Sequence, residues 1–102
     1  MIHVLAYITT QPGQRDGILV EFRKMVPTVL AEKGCIEYAL ATDTPNAGPG
    51  QTPLGPNGYC VVEKWDSLES LAAHAASAHM TAFGAKIKDR LTSRAIHILS
   101  PG

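Results

Sequence analysis

The sequence predicts an α+β domain of ferredoxin-like βαββαβ order, with a four-stranded antiparallel sheet and both helices on one face. Three observations predict it. Four short runs are rich in β-branched and apolar residues. Two longer stretches repeat apolar residues at helical spacing. The order strand, helix, strand, strand, helix, strand is that of the split βαβ unit.

Residues 2–10 (IHVLAYITT) make the first strand, and Gln11-Pro12-Gly13 turns the chain. Ile2, Val4, Ala6 and Ile8 share one face; His3, Leu5, Tyr7 and Thr9 share the other. Both faces carry apolar groups, so both should be covered. Residues 14–33 predict a helix, with Ile18, Phe22, Met25, Val26, Val29 and Leu30 as its stripe. Pro27 predicts a kink in it and Gly34 a C-terminal cap. Residues 35–43 (CIEYALATD) make the second strand. Residues 42–58 hold four of the seven prolines and four of the nine glycines, which predicts a long loop. Residues 59–65 (YCVVEKW) make the third strand. Asp66 is placed to cap the next helix, with Glu69 closing a capping box. That helix should run from Ser67 to about Leu91, with Gly84 as its candidate break. Residues 94–99 (RAIHIL) make the last strand.

A chain of 102 residues is one domain, 1–102. It is 45% hydrophobic and 18% charged, and nine basic residues balance nine acidic ones. Zero net charge argues against nucleic acid or an anionic membrane as partner, since both need a basic excess. No apolar run is long enough for a transmembrane helix, and Met1-Ile2-His3-Val4 lacks the marks of a secretory signal. Cys35 and Cys60 form no CxxC pair. They fall at opposite ends of the hairpin of strands two and three, beyond the roughly 7 Å that a disulfide spans. The expectation is a cytoplasmic chain with reduced thiols. Two helices cover one sheet face, so the apolar residues of the other predict a homodimer joined through its sheets.

Gly34-Cys35-Ile36-Glu37-Tyr38, and Glu63-Lys64-Trp65-Asp66-Ser67 followed by His74, Ser77, His79 and Phe83, carry a resemblance that spans the chain. The sequence resembles the antibiotic biosynthesis monooxygenase family, including its small quinol-monooxygenase-like members. The resemblance implies a dimeric α+β barrel with a cavity between sheet and helices in each subunit. It also implies oxidation of phenolic or quinol substrates by O2 with no cofactor, neither metal nor flavin. Haem-degrading relatives carry an Asn on the first strand, a Trp on the second helix and a later His. Here those places hold Tyr7, His74 and the neighbourhood of Gly84, which disfavours haem degradation.

Oxygenation without a cofactor needs a base to form the reactive phenolate and apolar walls to exclude water. His74 is the candidate catalytic base, at the edge of the Leu68, Leu71, Ala75 and Ala78 stripe. The candidate substrate contacts are Tyr7, Trp65, His79 and Phe83. Structural alternatives stand beside them: Trp65 packs a helix hinge, His79 closes a core seam and Phe83 is a core wall. Glu63, a strand carboxylate, is read as making a structural hydrogen bond or salt bridge. No metal site is expected. On one continuous helix His74 and His79, five residues apart, point about 140° away from each other. No dinucleotide, phosphate-loop or nucleophile-elbow motif is present. Three readings stand at this point: a monooxygenase of a small quinol or polycyclic phenol, a non-catalytic ligand-binding or stress-response dimer, and an isomerase using Arg90 or Arg94.

Overall fold

In the computed structural model, which describes residues 1–102, the elements follow the expected order. They are β1 (Ile2–Thr10), α1 (Arg15–Leu30), β2 (Cys35–Ala41), β3 (Gly58–Trp65), α2 (Leu68–Ala75), α3 (Ala78–Ile87), a short 3-10 turn (Lys88–Arg90) and β4 (Leu91–Leu99). The sheet order is β2-β3-β1-β4, with every neighbouring pair antiparallel. Strand alternation decides what faces the helices. Val4 pairs with Glu63 and Ile98, Ala6 with Val61 and Ile96, and Ile8 with Tyr59 and Arg94. Residues directly opposite each other share a face, so these rows form one continuous surface beneath the helices.

The core sits between that surface and α1. Ile18, Leu19, Phe22 and Val29 are buried against Val4, Ala6, Tyr38, Tyr59, Val61 and Trp65. Phe22 stacks on Tyr38, with ring centroids 5.1 Å apart, and meets Phe83 edge-on at 5.9 Å. Each such pair adds about 0.5–1.5 kcal/mol beyond its area.

The opposite sheet face has no covering element within the chain. It presents Leu5, Tyr7, Cys60 and Val62, flanked by Ala39 and Ala95. Tyr7 lies there, edge-on to His97 at 5.7 Å. The cysteines are both free, and the register sets them apart as expected: Cys35 pairs with Trp65, whereas Cys60 pairs with Ala41.

Four local expectations are corrected. First, α1 stops at Leu30, and Ala31 caps it through bonds to the Pro27 and Val29 carbonyls. Gly34, at φ 83°, instead serves the turn into β2, in the left-handed region that suits glycine. Second, the cap of α2 is Ser67, whose Oγ accepts from the Ser70 N–H. Asp66 stands one residue too early and accepts from the Ser67 hydroxyl at 3.0 Å. Third, the long second helix is two helices. Ser77 is extended (φ −65°, ψ 152°) and caps α3 by accepting from the Met80 N–H, while Gly84 lies inside α3. Fourth, β4 begins at Leu91, three residues earlier than the apolar run suggests. The loop of residues 42–57 contributes nothing to the cavity lining described below. No helix is long and apolar enough to cross a membrane.

Candidate active site

A cavity of about 340 Å³ lies between the sheet and the second and third helices. Its floor is Val4, Ala6, Ile8, Val61, Ile96 and Ile98. Its walls are Phe22, Leu71, Ala75, Met80, Phe83 and Ile87. Polar groups reach it from two ends of the strands and from the 3-10 turn. His74, Glu63 and Tyr38 gather beside Val4, Tyr59 and Arg94 stand across from Ile8, and Lys88 also lines it. Four residues of strand separate Val4 from Ile8, about 13 Å.

His74 is the most constrained of these groups. It is 4% exposed and sits on the last turn of α2. Its ring packs on Trp65 at 4.7 Å and on Tyr38 at 5.3 Å. Its Nδ1 lies 2.8 Å from Oε2 of Glu32. A carboxylate only accepts, so Nδ1 donates, and a neutral His74 then carries its lone pair on Nε2.

Glu32 lies in the turn between α1 and β2, which backbone bonds hold in place. Cys35 N–H donates to the Glu32 carbonyl at 3.2 Å, and Asp66 N–H donates to the Gly34 carbonyl at 2.8 Å. The second bond ties the turn to the start of α2. A side chain on Gly34 would collide with Asp66 and Ser70, so only glycine permits this approach. The same Oε2 also receives His79 Nε2 at 3.0 Å, and Ser77 Oγ lies 3.2 Å from that nitrogen. The Ser77 hydroxyl itself donates to the His74 carbonyl at 2.7 Å.

Glu63 accepts from Trp65 Nε1–H at 2.9 Å. Burial pushes its pKa above the usual carboxylate range, against the opposing effects of the Trp65 bond and nearby His74. Burial likewise raises the Tyr38 phenol well above its ordinary value and pushes Tyr59 up to about 12. The tyrosines therefore act here as neutral hydroxyls.

Of the residues expected in the site, His74 and Phe83 line the cavity. Trp65 is fully buried behind His74 and supports it rather than lining the space. His79 is directed at Glu32, off the cavity. Tyr7 is on the other sheet face, because odd positions of β1 point away from the helices. Glu32 was missed. It reads as one more charged residue on the wet side of a helix, and its partners are 42 and 47 residues away.

The fold and the cavity together define a class. Residues 1–86 match the family model for antibiotic biosynthesis monooxygenase, and the chain belongs to that family. Among individual proteins, it is 39% identical over 104 residues to "Probable quinol monooxygenase YgiN" of Escherichia coli (strain K12), covering 100% of this chain and 99% of that one. Solved structures share its fold. PA3566 from Pseudomonas aeruginosa superposes with a TM-score of 0.80 at 24% identity, covering 98% of this chain and 92% of the other. Rv0793 from Mycobacterium tuberculosis gives 0.80 at 23%, covering 98% and 93%.

Proposed function

We propose that the chain is a monooxygenase that oxidises a small quinol or phenol with O2, using His74 as the base. The observation that carries this reading is the buried His74 on the wall of an apolar cavity, anchored through Nδ1 on Glu32. The 39% identity to a protein described as a quinol monooxygenase supports it.

In this reading the aromatic substrate lies on Val4, Ala6 and Val61, beneath Phe83 and Met80. His74 Nε2 takes a hydroxyl proton, and Glu32 stabilises the imidazolium that results. The phenolate, held away from water, passes electrons to O2. One oxygen atom bonds to the ring. The other leaves as water with the two hydrogens that the substrate loses. The electrons come from the substrate, so the reaction needs no further reductant. The protein works as a dimer joined through the open sheet face, with Leu5, Tyr7 and Val62 at the contact.

The test is O2 uptake with a panel of hydroquinones. His74→Ala should slow it by about 10²–10⁴-fold, the usual contribution of a general base, with far-UV circular dichroism unchanged. Undiminished uptake in a folded variant removes His74 from the mechanism.

A further inference from the structure

We propose that Glu32, His74 and His79 form a binding site for a borderline divalent cation, with zinc(II) as the best match. Their donor atoms, one carboxylate oxygen and two ring nitrogens, all lie within 4.8 Å of one another. Oε2 is 2.8 Å from one nitrogen and 3.0 Å from the other. Ligands around a tetrahedral zinc, with bonds of about 2.0–2.2 Å, stand a little over 3 Å apart, so the oxygen–nitrogen separations are already near those of a zinc site, and the ring nitrogens, within 4.8 Å, adjust to it by side-chain rotation. Two imidazoles and a carboxylate suit zinc, whereas magnesium and calcium prefer oxygen donors throughout.

Two further observations point the same way. Glu32 is only 17% exposed, yet no lysine or arginine pairs with it; its charge partners are the two imidazoles alone. A cation completes that balance. The backbone is also arranged to bring the rings together. A continuous helix holds them about 140° apart, and the extended Ser77 between α2 and α3 turns His79 back onto Glu32. His79 is 30% exposed, which gives the ion a path from solvent and leaves its fourth position to water.

Occupation has a consequence that rests on the reading of His74 as base. An ion on Nδ1 displaces the proton there and leaves the ring's proton on Nε2. His74 then donates into the cavity and no longer accepts, so zinc inhibits oxygenation.

The test starts from chelator-treated protein. Zinc is titrated in competition with a chromophoric chelator, and cobalt(II) is followed by its visible absorption. One ion per chain at micromolar affinity is expected. His79→Gln and Glu32→Gln should each weaken binding by about tenfold or more, and His3→Gln should not. Should Glu32→Gln fail to fold, His79→Gln, a partly exposed site, still decides. Absence of binding below millimolar zinc, or unchanged affinity in His79→Gln, overturns the site. Binding that leaves O2 uptake untouched upholds the site and counts against His74 as base. Failure to bind alongside a loss of activity in His74→Ala does the reverse.

Discussion

Glu63 faces the cavity from the middle strands, and its environment works against its charge. Its folded pKa is raised while the unfolded chain keeps the ordinary value, so the folded state binds more protons in between. Stability therefore falls as pH climbs out of the usual carboxylate range, and the whole penalty is present above the raised pKa. Glu63→Gln keeps an acceptor for the Trp65 N–H and removes the charge. Its melting temperature should exceed that of the parent at about pH 8, with the gap closing towards about pH 4. Scanning calorimetry at the two pH values decides; a gap independent of pH would mean that the carboxylate is not penalised. A single sequence shows Glu63 as a strand carboxylate and Glu32 as a helix-end carboxylate, and nothing in either neighbourhood ranks them. Their significance comes from Trp65, His74 and His79, which the fold brings to them.

At the scale of elements, the order and type of every strand and of the first helix were readable from β-rich runs, turn residues and helical spacing. The second helical stretch was not. Its apolar pattern runs across the break, and Ser77 looks like any small polar residue on an exposed turn. It ends α2 because its hydroxyl can serve two backbone groups at once, the His74 carbonyl and the Met80 N–H. Side-chain competition with the helical ladder of this kind is local chemistry that hydrophobic spacing does not register. Ser77→Ala should cost about 1 kcal/mol in urea unfolding, the usual worth of an N-cap. A loss far below that would place the cause of the break in the packing around His74 and Met80 instead.

For the whole molecule, the proposed dimer rests on the face opposite the helices. Leu5 and Val62 pair at the centre of that face, and Tyr7 lies beside them. Val62→Asp places a charge there without touching the helix-facing core. Light scattering after size exclusion should find the parent protein dimeric and the variant monomeric with native circular dichroism. A monomeric parent would defeat the proposed dimer. That this face carries apolar residues was legible from β1, where Leu5 and Tyr7 alternate with Val4 and Ala6. The resemblance implied a cavity between sheet and helices, and one is there; its volume and shape were not legible, because they depend on how Phe22, Met80 and Phe83 fill the space, and spacing carries no information about that.

The long connection between β2 and β3 is closed at its own base. The Asp43 carboxylate accepts from the Leu54 and Gly55 N–H groups at 2.7 and 2.9 Å, and these bonds hold its pKa below the usual range. Arg15 then donates to the Gly55 and Gly58 carbonyls. Residues 44–53 are thus an outgrowth whose stem is fastened independently of its length. Closure entropy rises slowly with loop size, by only about 0.6 kcal/mol per doubling. A tag or second domain inserted between Thr44 and Pro53 should therefore leave strand register and cavity as they are.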